Sequence, residues 1–303
     1  MKSFEELIAV AKKSGKKKCV VIMAQDTTVL EGIKLAQEHS LIYPVLVGDE
    51  SMIKELSKKV GLDMGDVEIH HTREENEALK KGILLVKDQG DFLMKGMIST
   101  SVFLKGVLNR EWGLRTGKIL SHIAVLEVPG YHKLIFMSDG GMNPKLDFNI
   151  RLNITTNAIR TLHMLGIKEP KIGLVSASET IHPDMPETTD AAEIVRFYNK
   201  GEIKNCIIEG PFGFDVSISK QAADHKKIQS RIAGDVDFLL MPSISAANIW
   251  AKGLIIFANA KAAGMVAGAA RPVIMLSRAD KPETKLNSIA LGVALSTPSP
   301  SGS

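Results

Sequence analysis

Residues 4–48 read FEELIAVAKKSGKKKCVVIMAQDTTVLEGIKLAQEHSLIYPVLVG, and this stretch decides the fold class. Apolar residues recur at helical spacing at Phe4, Leu7, Ile8 and Ala11, and a continuous apolar run follows at 19–23. The same two patterns then repeat, with helical spacing at Val29, Ile33 and Ala36 and a continuous run at 43–47. Continuous apolar runs of this length are typical of buried strands. Buried strands that alternate with helices indicate βαβ units, so the sequence predicts an α/β protein with parallel-rich sheets.

The same alternation continues along the chain. Further strands are predicted at 67–70, 92–94, 123–128, 134–137, 171–175, 206–209, 238–241 and 273–276. Helices are predicted at 52–60, 102–108 and 149–165, and the apolar stretch 255–270 is interpreted as helix, in the core or at a subunit interface. The pattern changes only at 124–136, where two strands flank the turn Pro129-Gly130-Tyr131 and indicate a hairpin.

Length and this hairpin suggest two domains. A chain of 303 residues suits one large domain or two ordinary ones. We expect a discontinuous first domain, 1–130 with 271–303, and a second domain over 131–270. Residues 296–303 are only Ser, Thr, Pro and Gly, which predicts a disordered tail.

Composition excludes several classes of protein. The chain is 45% hydrophobic, which is enough for an apolar core and excludes intrinsic disorder. Only 5% of its residues are aromatic. The net charge of +4 is a weak signal, and the lysine-rich run 12–18 contains no aromatic residue for base stacking. We therefore expect no nucleic-acid partner, whereas the mild basicity favours an anionic small molecule.

The sequence also predicts a cytoplasmic protein without a membrane partner. Lys261 interrupts the longest apolar stretch, and the N-terminus lacks the apolar segment of a signal peptide. The two cysteines, Cys19 and Cys206, lie in strand-like runs, where buried reduced thiols are expected.

Ligands of α/β sheets bind beyond the carboxyl ends of the strands, so we inspected the turns that follow them. Four are unusually polar: 95–101 (KGMISTS), 210–215 (GPFGFD), 242–248 (PSISAAN) and 277–280 (SRAD). In the first, Ser99, Thr100 and Ser101 could cradle a phosphate at a helix N-terminus or simply cap that helix.

The other turns carry single candidates. Asp215 could titrate or cap a helix, and Asn248 could orient a substrate or satisfy its own loop. Arg278 directly follows a strand, and its planar guanidinium suits phosphate, although a surface arginine is an equally good interpretation.

Several enzyme classes lack their motifs. There is no GxGxxG, no GxSxG and no zinc spacing, and residues 113–118 (GLRTGK) match a P-loop only loosely. Histidine and carboxylate positions also fail to give metal-ligand spacing, so no metal site is predicted.

Four segments together identify a family. Residues 138–144 (SDGGMNP), 209–216 (EGPFGFDV), 241–248 (MPSISAAN) and 276–278 (LSR) resemble, in this order, the phosphate acetyltransferase and phosphate butyryltransferase family. The similarity runs collinearly to about residue 294, and 209–216 looks like the butyryltransferase branch. The resemblance implies a two-domain fold like that of isocitrate and isopropylmalate dehydrogenases, with the active site between the domains.

The resemblance also implies roles for residues. The family's serine–arginine pair falls on Ser277 and Arg278, which would be catalytic. Lys105 stands where the family has an arginine that holds coenzyme A. The family's proposed base falls on Thr284, so Asp280 or Glu283 could act instead, or no base is needed. The remaining candidates for binding phosphate or coenzyme A are Ser99, Thr100, Ser101, Asn143, Asp215 and Asn248.

The implied reaction is reversible transfer of a butyryl group from butyryl-CoA to inorganic phosphate within a ternary complex. Its partners would be acyl-CoA, inorganic phosphate and acyl phosphate, with coenzyme A as substrate and no permanently bound cofactor, in a homo-oligomer. Alternatives are a phosphate acetyltransferase or broad short-chain acyltransferase, a metal-dependent hydroxyacid dehydrogenase of the same architecture, and a non-catalytic acyl-CoA-binding module.

Overall fold

The structure, a computed structural model, describes residues 1–277 and 279–296. In chain order the elements are α1 (Phe4–Lys13), β1 (Lys17–Ile22), α2 (Thr27–Glu38), β2 (Ile42–Gly48), α3 (Glu50–Val60), β3 (Glu68–His71), α4 (Glu75–Asp88), β4 (Phe92–Lys95), α5 (Thr100–Val107), β5 (Ser121–Glu127), β6 (Ile135–Ser138), α6 (Phe148–Met164), β7 (Lys171–Val175), α7 (Pro186–Asn199), β8 (Ile207–Phe212), α8 (Phe214–Ile218), α9 (Lys220–His225), β9 (Phe238–Leu240), α10 (Ile244–Phe257), β10 (Lys261–Ala267), β11 (Val273–Ile274) and α11 (Pro282–Leu295). The predicted α/β class is confirmed.

The chain divides into two compact units. The first is formed by residues 3–118 and 262–303, and the second by residues 1–2 and 119–261. The domain boundaries expected from the sequence, at 130/131 and 270/271, stay a prediction. Of the predicted tail, Ser296 closes α11, and residues 297–303 lie outside the described residues.

The first unit has its strands in the order β3-β2-β1-β4-β11-β10. Every pair from β3 to β11 is parallel, and β10 pairs antiparallel with β11. Strand β1 lies in the middle, and its residues Cys19–Ile22 are almost completely buried, as expected for a strand covered on both faces. Because β1, β4 and β11 are parallel neighbours, the segments that follow them emerge at one edge of the sheet.

The second unit has the strand order β5-β6-β9-β7-β8. The predicted hairpin is present: β5 and β6 pair antiparallel with Val125 opposite Phe136, and Gly130 turns the chain with φ +90°. Strands β6, β9, β7 and β8 are parallel. The apolar core of this unit includes Met137, Val216, Val236 and Leu239.

The helix expected over 255–270 is wrong. Helix α10 ends at Phe257, Asn259 adopts a left-handed conformation with φ 52°, and the chain continues as the buried strand β10. Apart from Asn259 and Lys261 the stretch is apolar, and such a stretch has no periodicity that distinguishes helix from strand. The core assignment also fails for the end of α10, where Ile256 is 67% exposed and Phe257 is 89% exposed.

Helices α4 and α7 were not predicted. Helix α7 begins with a proline at its first turn and buries only Thr188, Ala191 and Ile194, which is a weak amphipathic signal. Within residues 1–277 and 279–296, no helix combines the length and the apolar character needed to cross a membrane.

Candidate active site

A small pocket lies at the edge of the first unit's sheet where β1, β4 and β11 end. Its empty volume, counted together with the open solvent at its mouth, is about 260 Å³. Its lining comes from the start of α2 with its N-cap, the end of β4 and the turn that follows it, the segment after β11, and one residue of α11: Asp26, Thr28, Val29, Lys95, Gly96, Met97, Leu276, Ser277 and Lys285. This is the position at which a doubly wound sheet binds its ligand, and two buried lysines make the pocket suited to an anion.

The turn after β4 is held tightly against β1. The Gly96 amide donates to the Ile22 carbonyl at 2.9 Å, and the Met97 amide donates to the Met23 carbonyl at 2.7 Å. A Cβ atom on Gly96 would lie 2.3 Å from the Met23 oxygen, so only glycine permits this approach. Lys95, which is 6% exposed, donates from Nζ to the carbonyls of Gly96 and Ile98 at 3.2 and 2.9 Å.

The turn after β11 is closed by Asp280. Its Oδ2 accepts a hydrogen bond from the Ser277 amide at 2.8 Å, and its own amide donates to the Ser277 carbonyl at 3.2 Å. The Ala279 amide donates to Ser277 Oγ at 3.3 Å. The exposed Ser277 hydroxyl therefore receives one hydrogen bond from its own turn and keeps its proton to donate.

The other residues of the predicted catalytic group are placed differently. Arg278 lies outside the described residues. Glu283 is exposed in the first turn of α11, and the Thr284 carbonyl accepts from Ser288 Oγ at 2.8 Å. Since the Asp280 carboxylate already holds the Ser277 amide, its observed contact is that of a turn cap.

The segment 99–101 does not line this pocket. Ser99 Oγ accepts from the Val102 amide at 3.3 Å and caps α5, while the Ser99 amide faces Glu75 Oε1 at 3.4 Å. A carboxylate beside the helix N-terminus competes with a phosphate there. Thr100 and Ser101 are exposed, as is Lys105 in the last turn of α5.

In the second unit, Asn143 and Asn248 meet at one loop. The buried Asp139 carboxylate organises this loop by accepting from the amides of Gly141 and Met142, both at 2.9 Å. Asn143 Nδ2 donates to Asp139 Oδ2 at 2.5 Å, and Asn248 Nδ2 donates to the Gly140 carbonyl at 3.1 Å. Asn248 thus bonds the loop backbone directly, whereas Asn143 bonds the Asp139 carboxylate that holds the loop.

Asp215 is a member of an exposed ion pair. Lys226 Nζ lies 3.0 Å from Asp215 Oδ2 and 2.7 Å from Glu179 Oε1. The hydrogen bond from Lys226, against a smaller opposing effect of desolvation, lowers the pKa of the Asp215 carboxyl. A carboxylate held in its charged form is a poor proton donor at neutral pH.

Both cysteines are buried and free, as predicted. Burial raises the pKa of the Cys19 thiol far above its usual range and that of Cys206 to about 11, the latter with a contribution from Glu169. Since the thiolate is the nucleophilic form, neither side chain is poised to accept an acyl group.

Sequence reasoning missed Lys95, Lys285 and Asp139. Lys95 could have been found, because it is the first polar residue after a buried strand. Lys285 gives a weaker signal, because it is one of several polar residues in the first half of its helix, and Asp139 is marked only as part of a motif. Among residues 1–277 and 279–296, no group of three or more His, Cys, Asp or Glu side chains is arranged to hold a metal ion.

Comparison with known proteins assigns the chain to a family. Residues 71–293 match the model described as Phosphate acetyl/butaryl transferase. A phosphate butyryltransferase of Clostridium beijerinckii is 41% identical over 291 residues, covering 96% of each chain. The crystal structure of a branched-chain phosphotransacylase from Enterococcus faecalis superposes with a TM-score of 0.82 at 27% identity, over 92% of this chain and 99% of that one.

A 4-hydroxythreonine-4-phosphate dehydrogenase from Klebsiella pneumoniae shares the fold, with a TM-score of 0.57 at 12% identity over 92% of this chain and 100% of that one. The predicted dehydrogenase-like architecture is therefore confirmed, as is the prediction of an acyltransferase enzyme. By its sequence and its structure, the chain belongs to the phosphate acetyltransferase and phosphate butyryltransferase family, which transfers acyl groups between coenzyme A and phosphate.

Proposed function

We propose that this chain transfers a butyryl group reversibly between coenzyme A and inorganic phosphate. The observation that carries the proposal is the 41% identity, over 96% of both chains, to a phosphate butyryltransferase. The pocket at Ser277 supports it, because a hydroxyl donor and two buried lysines converge where the parallel strands end.

In the direction that forms acyl phosphate, a phosphate oxygen attacks the thioester carbonyl, and the carbon–sulfur bond then breaks to release the coenzyme A thiolate. Ser277 donates a hydrogen bond to the oxyanion that develops on the carbonyl oxygen, a contribution of about 3–4 kcal/mol in comparable sites. Arg278 is proposed to hold the phosphate through its planar guanidinium.

Transfer is proposed to be direct, within a ternary complex. An acyl-enzyme would need an activated nucleophile, and both thiols are buried with raised pKa values. In the reverse direction, the coenzyme A thiol has an ordinary pKa near ~8.5, so positive potential at the pocket supplies thiolate without a dedicated base. Asp280, Glu283 and Thr284 remain candidates for that base, and Ser99–Ser101, Lys105, Asn143, Asp215 and Asn248 remain candidates for binding phosphate or coenzyme A.

A branched acyl group is the second candidate substrate, because the Enterococcus faecalis structure at 27% identity is that of a branched-chain phosphotransacylase. Release of thiol from acetyl-, butyryl- and isobutyryl-CoA, with and without phosphate, distinguishes the substrates. We expect phosphate-dependent release with the highest kcat/KM for butyryl-CoA. A preference for acetyl-CoA, or turnover of a hydroxyacid with NAD or NADP instead, would overturn the proposal.

A homo-oligomer is also proposed. It is supported by apolar side chains that are exposed along α10: Ile249, Ile256 and Phe257. Contiguous exposed apolar side chains are typical of subunit interfaces. Light scattering should give a mass above 32.9 kDa for the native chain, and a monomer at micromolar concentration would contradict this part of the proposal.

A further inference from the structure

Lys285 is a buried lysine in a helix that has almost no exposed surface. It is 2% exposed, and the ten residues that follow it in α11 are buried as well. Lysine is seldom buried to this extent unless its ammonium group is paired or hydrogen-bonded, because burial removes the hydration of the charge. Burial lowers the pKa of Lys285, and the carboxylates of Asp280, Asp26 and Glu31 oppose that effect.

The chain makes room for this side chain. A Cβ atom on Gly32 of α2 would lie 2.6 Å from Lys285 Cβ and 3.3 Å from its Cδ, so the lysine stem passes directly over the glycine. The stem thereby crosses between α2 and α11 and delivers Nζ to the pocket that Ser277 also lines.

At that point Lys285 Nζ donates to the Asp280 carbonyl at 2.6 Å. The carboxylate of the same Asp280 holds the Ser277 amide, and the Asp280 amide holds the Ser277 carbonyl. Lys285 is thus tied to the residue that closes the turn, and through it to the backbone of Ser277.

We propose that Lys285 is a positioning residue, whose buried ammonium fixes the Asp280 end of the turn and so holds the Ser277 hydroxyl where the acyl carbonyl binds. The inference rests on the proposed function, because Ser277 is the group that it positions. A purely structural role is the competing explanation. In that case an apolar side chain of similar length should serve equally well, since buried charges are often replaced by apolar residues without loss of stability.

The test compares Lys285→Met, which keeps the apolar stem, with Lys285→Gln, which keeps an uncharged N–H donor group. Lys34→Met is the matched control, because Lys34 Nζ also donates to a backbone carbonyl, that of Val60 at 3.1 Å, in the same unit but outside the pocket. We expect Lys285→Met to lower kcat at least about 10-fold with KM for butyryl-CoA changed less than about 3-fold, and with an unchanged or higher melting temperature. Lys285→Gln should be intermediate, and the control should match the native enzyme.

Hydrogen exchange measures the turn without relying on activity. The amides of Ser277 and Asp280 should exchange faster in Lys285→Met than in the native chain, and not in Lys34→Met. Native kcat in both Lys285 variants, or reduced kcat without faster exchange, would overturn the inference. If Lys285→Met fails to fold, the test relies on Lys285→Gln. Native exchange rates for the amides of Ser277 and Asp280 in that variant would also overturn the inference. If the native chain itself releases no thiol, the proposed function fails, while the exchange comparison still decides whether Lys285 holds the turn.

Discussion

Two groups of charged side chains in this protein have different kinds of partners. In the second unit, Lys133, Lys171, Asp235 and Asp237 form a network at the amino ends of β6, β7 and β9, where each cation faces a carboxylate. In the first unit, Lys95 and Lys285 at the pocket donate to neutral carbonyls. Cations paired with carboxylates mainly stabilise a fold, whereas the two pocket lysines line a space that an anion can enter. Substitutions in the network should therefore change stability, and substitutions at the pocket should change catalysis.

The largest effect is expected for Arg278→Ala. Its turnover should fall by at least about 10²–10³-fold, because the phosphate loses its bidentate partner, and its melting temperature should not change. Arg278→Lys should recover only part of the rate, since lysine lacks the planar fork. Steady-state kinetics of both variants checks this. Turnover within a factor of two of native in Arg278→Ala would remove the residue from the site.

Ser277→Ala should lower kcat by about 10²-fold, because the oxyanion loses one donor. Its stability should not change, since the hydroxyl only accepts one exposed hydrogen bond. Ser51→Ala, an exposed serine in α3, is the control and should leave both quantities unchanged. A native kcat for Ser277→Ala would show that the hydroxyl does not contact the reacting carbonyl.

The network should behave in the opposite way. Asp237 Oδ1 lies 2.7 Å from Lys133 Nζ, and its Oδ2 accepts from the Lys171 amide at 2.8 Å. Asp237→Asn should lower the free energy of unfolding by about 3 kcal/mol, because it leaves Lys133 less compensated, with kcat unchanged. Asp224→Asn, which breaks an exposed pair with Lys220, should cost less than about 1 kcal/mol. Chemical denaturation measures both, and equal effects would contradict the distinction.

Acid should weaken the network in a defined range. Burial alone would raise the pKa of Asp235, but hydrogen bonds from Lys133, Lys171 and His132 outweigh burial and hold that pKa below its ordinary value of 3.8. The stabilisation is thus present above the ordinary pKa of 3.8 and is lost as the pH falls below it, because the unfolded state takes up the proton before the native state does. The difference in unfolding free energy between native and Asp235→Asn, about 1 kcal/mol for this partly exposed group, should shrink below pH 4. A constant difference would contradict the assignment.

The smallest effect on catalysis is expected from the thiols. Replacement of both Cys19 and Cys206 with alanine should leave kcat within about 2-fold of native, because both thiols are buried and protonated. The buried sites should still lose some stability on denaturation, since smaller side chains leave space. An inactive but folded double variant would restore the acyl-enzyme mechanism.

The sequence predicted what depends on local pattern. Residues 171–175 were predicted as a strand and are β7, and the helix predicted at 149–165 is α6 shifted by one residue at each end, Phe148–Met164. The family and its reaction were also predicted, because they depend on motifs such as 209–216. Where the pattern is uniform, as in 255–270, the strand β10 was missed.

The pocket depended on contacts between distant segments. Lys285 is a common residue type in an ordinary helical position, and only the glycine opposite it, at position 32, shows that the lysine is accommodated in the interior. The predicted phosphate cradle at Ser99 is a comparable case, since the neighbouring Glu75 comes from another helix. Propensity and spacing within one segment carry no information about such partners.

The central claim is that an acyl group passes directly from the thioester to phosphate at the Ser277 pocket. The most direct measurement follows thiol release and acyl phosphate formation together, with butyryl-CoA, in the native enzyme and in Ser277→Ala. We expect one acyl phosphate for each thiol, no release without phosphate, and a loss of both products in the variant. Release of thiol without phosphate, or equal rates in the two proteins, would contradict it.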